Sequence, residues 1–339
     1  MAIRVAINGF GRIGRQVFKA GFEKKSIEFV AINDLGDAEN LAYLLSHDSV
    51  YGLWPHKVSA KQGMLVVDGV KIPVLAERDP ALLPWKKLGV DVAIESTGRF
   101  TDEAGLTKHL TAGARRAILS APAKGGGVPT FVRGVNDGTA VSGSSGLYST
   151  KILNNASCTT NCVAPVTAVV HAAFGVAKAA MTTIHSYTAD QSLVDGPHAD
   201  FRRGRSAALN LIPTTTGAAI AVTETIPELR GKFDGISIRV PTPCGSLSDC
   251  TFITRKKTTV AEVNAALVAA SKQKQWKGIL ECSSDALVSR DIVGRAASCI
   301  IDLAFTQVID GDLIKILAWY DNEWGYSHRL IEMVEKIGK

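Results

Sequence analysis

Ser157, Cys158, Thr159 and Thr160 stand where a strand-like run gives way to a helical stretch. Ser157 is a natural N-cap there, and Cys158 falls in the first helical turn. Unsatisfied N–H groups and the helix dipole at such a terminus stabilise a thiolate. The Cys158 thiol is therefore expected well below the free value of ~8.5, which makes it the leading nucleophile. On position alone a purely structural Cys158 stays open. Cys162, four residues on, shares the helix face but lies a turn inside and reads as a small buried residue. A thiol nucleophile needs a base or a cation beside it. His185, at the end of the β-like run Met181 to Ile184, is best placed by texture, with six other histidines competing. Spacing alone does not bring His185 to Cys158, and a lone strand-end histidine is more often ordinary surface or core.

A second set sits at the start of the chain. Gly9, Gly11 and Gly14 form a G-x-G-x-x-G pattern, and Asp34 lies 20 residues beyond Gly14. After a strand and at the head of a helix, such glycines close a tight turn, let the backbone approach a pyrophosphate and pack the helix on the sheet. The helix N-terminus offers N–H groups to the anion. Asp34 would accept hydrogen bonds from the adenosine ribose and repel a 2′-phosphate, which favours NAD over NADP. A glycine turn of structural use only is the competing reading.

The elements that must hold these residues can be read from periodicity. Ile3 to Asn8 is a buried strand, a helix begins near Arg12, and Ile27 to Ile32 is a second strand ending at Asn33 and Asp34, which completes a βαβ unit. Met64 to Leu75 reads as a hairpin around Asp68-Gly69, a decoration on the main sheet. Short apolar runs at Val90 to Ile94, Ala117 to Leu119 and Lys151 to Leu153, with a helical stretch from Ala104 to Ala112, continue the sheet to about residue 155. Beyond Asn155 a long helical stretch precedes β-rich segments at Met181 to Tyr187, Gly235 to Val240, Cys250 to Ile253 and Ile314 to Tyr320. Ser327 to Ile337 has helical spacing and is expected to pack back on the first domain. The expected fold class is α/β: a Rossmann-type doubly wound parallel sheet, residues 1–157 plus 321–339, with a second α+β catalytic domain on a largely antiparallel sheet, residues 158–320.

Composition narrows the functional classes. At 339 residues the chain exceeds the usual single core, and 46% hydrophobic against 21% charged residues is a globular balance. The net charge of +6 comes from scattered Lys and Arg, so phosphorylated metabolites are better expected partners than nucleic acid. Only Arg202, Arg203 and Arg205 crowd together, which reads as a solvated or inter-subunit loop. Pro165, His171 and Lys178 interrupt the apolar stretch from Cys162 to Met181, which fits a buried helix and turn better than a membrane span. With no secretory signal pattern, a cytoplasmic location is expected. Six cysteines without paired C-x-x-C spacing suggest reduced thiols and no metal site.

The segments AINGFGRIGR, ASCTTNC, HSYTADQ, IPTTTGAA, RVPTP and WYDNEWGYS, in this order and spacing, resemble the glyceraldehyde-3-phosphate dehydrogenase family over nearly the whole chain. The resemblance implies that Cys158 is the nucleophile and that His185 activates it and donates to the developing oxyanion. It implies a site for the substrate's own phosphate at Thr188, Asp190 and Arg239, and one for inorganic phosphate at Ser157, Thr159, Thr216 and Gly217. For NAD it implies Phe10, Gly11, Arg12, Ile13, Asp34, Arg78, Ser120, Asn322 and Tyr326, with Asn322 on the nicotinamide carboxamide. The implied activity is glycolytic or gluconeogenic: glyceraldehyde 3-phosphate, inorganic phosphate and NAD give 1,3-bisphosphoglycerate and NADH through a Cys158 thiohemiacetal and thioester. A homotetramer is implied by the family alone. Gly125 to Gly127 and Gly138 to Gly146 are richer in Gly and Ser than the family pattern. Gly196 stands where leucine is common in NAD-specific members, with Pro197 retained, which weakens the NAD reading slightly. The rival readings are a sister enzyme of erythrose 4-phosphate, a dehydrogenase of aspartyl semialdehyde type, and a non-catalytic nucleic-acid-binding or scaffolding protein on the same fold.

Overall fold

A computed structural model describes residues 1–138 and 146–338; most of the stretch from Gly138 to Gly146 therefore lies outside the described residues. The chain divides into two compact units. One contains Met1–Phe131 and the described parts of Thr139–Ala156 and Ser327–Lys339; the other contains Val132–Gly138 and Ser157–Tyr326. The changeovers thus fall at 156/157 and 326/327, one and six residues from the 157/158 and 320/321 expected from sequence, and the short segment Val132–Gly138, expected in the first domain, goes with the second unit.

The first unit is built on β1 (Ile3–Asn8), α1 (Arg12–Phe22), β2 (Ile27–Asn33), β3 (Val58–Lys61), β4 (Met64–Val67), β5 (Val70–Leu75), β6 (Val92–Glu95), α2 (Glu103–Thr111), β7 (Arg116–Leu119) and β8 (Ile152–Asn154). Its sheet has the order β8-β7-β6-β1-β2-β5-β4-β3. The run from β8 to β5 is parallel, and β5, β4 and β3 are antiparallel. Parallel strands covered on both faces must be apolar throughout, and Val5, Ala6, Ile7, Ala31, Ile32, Val92, Ala93 and Ile94 are all fully buried. Asp68 and Gly69 both take positive φ, 48° and 85°, the pair of left-handed residues that a two-residue hairpin turn requires. The hairpin is more than a decoration, however. Ile32 and Asn33 pair in parallel with Val74 and Leu75, so its second arm is a strand of the main sheet.

The second unit contains α3 (Cys158–Phe174), β9 (Val176–Ser186), β10 (Ile212–Thr215), α4 (Ala218–Thr225), β11 (Phe233–Val240), β12 (Ser246–Thr254), β13 (Leu280–Ser283), β14 (Cys299–Ile309) and β15 (Leu313–Tyr320). Its sheet order is β10-β11-β9-β12-β15-β14-β13, antiparallel except for β9 with β11 and β13 with β14. Strand β9 begins five residues before the expected Met181, because Lys178 and the alanines around it carry little β signal but pair with β12 all the same. The last helix, α5 (Trp324–Ile337), puts its residues from Ser327 onward in the first unit, where Glu335 accepts from Lys24 Nζ at 3.1 Å and Ser26 Oγ at 2.5 Å. Among the described residues no helix is long and apolar enough to cross a membrane.

Candidate active site

The first unit carries a cleft of about 450 Å³ at the carboxyl ends of its central strands, lined by Asn8, Gly9, Gly11, Asn33, Asp34, Arg78, Ser96 and Thr97 among others. In an open parallel sheet that is where ligands sit, at the point where strand order reverses around β1. The glycines each have a separate reason. Gly9 has φ +93°, and a Cβ on Gly14 would lie 2.1 Å from the Gly9 oxygen, whereas a Cβ on Gly11 would project into open space. Gly11 is also the N-cap of α1 and makes no side-chain cap, which leaves the first-turn N–H groups for an anion. Asp34 is fixed by N–H donation from Phe10 at 2.7 Å and Gly36 at 2.9 Å. These residues fit a dinucleotide. Of the other expected contacts, Ile13 lies in the first turn of α1, Arg78 lines the cleft, and Ser120 follows β7. Arg12 is tied to Asp48 at 2.9 Å. Phe10 is fully buried, its ring against Phe18, its N–H donating to Asp34 and its carbonyl accepting from Arg15, so it supports the cleft from behind instead of lining it.

In the second unit Cys158 is the first residue of α3, with Ser157 as N-cap accepting the Thr160 N–H at 3.0 Å. His185 is the penultimate residue of β9, and its Nε2 lies 3.4 Å from Cys158 Sγ. Nδ1 lies 2.6 Å from the Ser186 carbonyl oxygen. A carbonyl can only accept, so a proton on Nδ1 satisfies this shorter contact and turns the lone pair of Nε2 to the thiol; Arg239 Nη1, itself only a donor, then approaches Nδ1 without bonding to it. Arg239 stands beside this ring because β9 and β11 run in parallel with His185 and Arg239 in register. Its Nη1 lies 3.0 Å from Nδ1 and donates to Ser186 O at 3.3 Å and Thr188 Oγ1 at 3.0 Å.

The electrostatics correct one expectation. Burial pushes the Cys158 thiol up, against the opposing pull of the Arg239 charge, the Thr159 hydroxyl and the N–H groups of Thr159 and Cys158. The helix terminus does not by itself poise a thiolate, because dehydrating the charged sulfur costs more than the terminal N–H groups return. Burial and the Arg239 charge hold His185 down at about 3. Burial thus favours the uncharged forms of both the Cys158 thiol and the His185 imidazole, an arrangement suited to general-base activation.

The residues expected to meet phosphates fall into two groups. Thr216 and Gly217 precede α4, with Thr216 Oγ1 accepting the Ala218 N–H at 3.2 Å, and Thr160 Oγ1 donates to the Ala218 carbonyl at 3.4 Å. The first turns of α3 and α4 are thereby linked, bringing Ser157, Thr159, Thr216 and Gly217 toward one another at two helix N-termini. In the second group Thr188 donates to Asp190, which also accepts from Arg203 Nη1 at 2.8 Å. Burial raises the Asp190 carboxyl, but the Thr188 hydroxyl and the Arg239 and Arg203 charges more than offset this and hold it below the ordinary range. A charged Asp190 cannot accept from a phosphate dianion; it aligns Thr188 and Arg203, which can donate to one. Asn322 Oδ1 accepts from Gly245 N–H at 3.2 Å and Ser246 Oγ at 3.0 Å, and Tyr326 is buried in the first turn of α5.

Comparison with known proteins gives this geometry a lineage. Residues 3–103 match the family model for the NAD binding domain of glyceraldehyde 3-phosphate dehydrogenase, and residues 157–322 match that for its C-terminal domain. The chain belongs to the glyceraldehyde-3-phosphate dehydrogenase family. Curated members include those of Geobacillus stearothermophilus, 51% identical over 99% of this chain and 98% of that protein, and Streptomyces coelicolor, 49% identical over 100% and 99%. That of Borreliella burgdorferi is 49% identical over 99% of this chain and all of its own. As a member of the glyceraldehyde-3-phosphate dehydrogenase family, the chain is an NAD-dependent oxidoreductase.

Two residues that sequence reasoning passed over belong to this site. Arg203, read as part of a solvated charged run, has a side chain only 21% exposed and is fixed by Asp190, by Thr214 Oγ1 at 3.0 Å and by the Thr215 carbonyl at 3.1 Å. Its neighbours Arg202 and Arg205 are exposed, as expected. Nothing in an Arg-Arg-Gly-Arg run marks which guanidinium turns inward. Tyr320 is buried at the end of β15, its ring edge-on to His185 at 6.0 Å and its hydroxyl between Thr159 Oγ1 at 2.9 Å and Thr183 Oγ1 at 2.7 Å. The Tyr within WYDNEW was the only sequence signal for it.

Proposed function

We propose that this protein is the phosphorylating, NAD-dependent glyceraldehyde-3-phosphate dehydrogenase, with Cys158 as nucleophile and His185 as its base. The observation that carries the reading is the 3.4 Å contact between Cys158 Sγ and His185 Nε2, with the imidazole held in the lone-pair-forward tautomer by Ser186 O. As Sγ attacks the aldehyde carbon, Nε2 takes the thiol proton and the carbonyl pair becomes an oxyanion. That oxyanion accepts from the Cys158 N–H and from the proton now on Nε2. NAD, when bound, supplies the hydride acceptor. Collapse of the thiohemiacetal oxyanion expels hydride from the same carbon and leaves a thioester on Sγ. Phosphate oxygen then attacks the thioester carbon, the C–S bond breaks, sulfur recovers its proton from His185, and an acyl phosphate departs.

Thr188 and Arg239, with Asp190 and Arg203 behind them, are assigned to the substrate's own phosphate. Ser157, Thr159, Thr216 and Gly217 are assigned to inorganic phosphate. Thr159 contributes chiefly through its backbone, since its hydroxyl is engaged by Tyr320. Gly11, Arg12, Ile13, Asp34, Arg78, Ser120, Asn322 and Tyr326 are assigned to NAD, with Phe10 holding Asp34 in place through its N–H. Association of subunits is supported by exposed Leu193, Val194, Phe201, Leu209 and Leu211 between β9 and β10, apolar surface of the kind that subunits cover, and the number four is assigned from the family alone. A cytoplasmic location and a lack of nucleic-acid or membrane partners complete the reading.

The test is NADH formation at 340 nm from glyceraldehyde 3-phosphate and NAD, with and without inorganic phosphate, in the wild type and in Cys158→Ser. Phosphate-dependent turnover abolished by the substitution is expected. Turnover without phosphate dependence points to the erythrose 4-phosphate enzyme, and wild-type activity in Cys158→Ser removes the proposed mechanism.

A further inference from the structure

Ser246 opens β12, is fully buried, and sits between two parts of the site. The Ser186 N–H points at Ser246 Oγ at 3.1 Å, and Asn322 Oδ1 lies 3.0 Å from the same oxygen. An N–H can only donate, so Ser246 accepts on the Ser186 side and its single hydrogen is left for Asn322. The Gly245 N–H also points at Asn322 Oδ1, at 3.2 Å. Two donors converging on one atom of an amide identify it as the oxygen, so the Asn322 NH2 group faces the other way. Among the described residues that group donates to nothing. The direction of this chain of hydrogen bonds is therefore set: Ser186 N–H to Ser246 O–H to Asn322 Oδ1. It starts at the residue whose carbonyl orients His185 and ends at the side chain assigned to the nicotinamide.

We propose that Ser246 is a positioning residue for hydride transfer: its hydroxyl locks the Asn322 amide with the NH2 outward, ready to donate to the carboxamide oxygen of the nicotinamide. The inference rests on the assignment of Asn322 to that carboxamide. Without the hydroxyl, Asn322 keeps only the Gly245 N–H and can rotate its oxygen outward, where it would meet another acceptor. A buried serine serving the fold alone would instead affect every substrate alike.

The experiment compares steady-state parameters of the full-length wild type, Ser246→Ala, Asn322→Ala and the double variant. Phosphate-dependent NADH formation by the wild type is established first, which tests the underlying assignment separately. Ser246→Ala is expected to raise the Kd for NAD, titrated by quenching of tryptophan fluorescence with no aldehyde present, and KM for NAD about 10-fold each, while leaving KM for the aldehyde and for phosphate within about 2-fold. In the Asn322→Ala background the same substitution should do nothing further to KM for NAD. Ser246→Cys, nearly isosteric with a weaker donor, should fall between, and it carries the comparison if the alanine variant does not fold. An equal rise in all three KM values, an unchanged KM for NAD, or a Ser246→Ala effect that persists undiminished on Asn322→Ala overturns the proposal.

Discussion

Replacing Tyr320 by Phe removes one oxygen from a place where three hydroxyls depend on each other. The Tyr320 hydroxyl meets Thr159 Oγ1 at 2.9 Å and Thr183 Oγ1 at 2.7 Å, and these residues are 1%, 3% and 1% exposed in that order, so water cannot substitute. Two neutral hydrogen bonds at about 1 kcal/mol each are lost, and the Thr183 hydroxyl is left as an orphan, so destabilisation should reach about 2–3 kcal/mol. For a unit of this size that is a fall of about 4–12 °C in Tm, measured by thermal unfolding at one fixed protein concentration. The ring stays edge-on to His185, so NADH formation should survive at temperatures where the variant is folded. The sharper test adds Thr183→Val. In the wild type it should cost about 1 kcal/mol, because Tyr320 loses a partner. In the Tyr320→Phe background it should be neutral or stabilising, because it deletes the orphan instead. Equal costs in both backgrounds would refute the shared network.

Arg239→Gln removes the charge that pulls the Cys158 thiol down and pushes His185 down. Both groups should rise, so the rate of Cys158 alkylation by iodoacetamide should move to higher pH; a shift to lower pH, or none, contradicts the placement. Arg203→Met leaves the Asp190 carboxylate facing an incoming phosphate without its ion-pair partner, and KM for glyceraldehyde 3-phosphate should rise about 10-fold or more. An effect under 2-fold would restore the reading of a solvated loop. Asp34→Asn removes a charge that a 2′-phosphate would approach to about 4 Å, a repulsion of ~1–4 kcal/mol, so kcat/KM with NADP should rise by about 10-fold or more. Unchanged cofactor preference would place the discrimination elsewhere.

The parts legible in the sequence are those governed by local rules. Gly9 and Gly14 were readable because their positions demand a missing side chain, Asp68-Gly69 because the turn needs two left-handed residues, and Cys158 because Ser157 caps its helix. What stayed hidden depends on pairing at long range. The main-sheet role of Val74 and Leu75 is set by Ile32 and Asn33, and the alanine-rich start of β9 is a strand only because β12 lies beside it. The inward turn of Arg203 depends on Asp190 and on β10, none of which its own neighbours announce. The thiol is the instructive case: sequence places it at a helix terminus, which lowers its pKa, but how much water surrounds it is a property of the fold, and that reverses the direction.

The parallel pairing of β9 and β11 separates two jobs along the chain. His185 and Arg239 are held side by side by sheet register, while the excursion between those strands carries Thr188, Asp190, Arg203, Thr216 and Gly217. The segment stays tied to them all the same, since its Thr188 accepts from Arg239 and its β10 pairs with β11, Ile212 opposite Arg239. Grafting the segment from a relative with another appetite for anions should therefore retune which aldehydes and nucleophiles are accepted, and should spare the thiol chemistry only where Thr188, the β10 pairing and the Thr160–Ala218 link are kept.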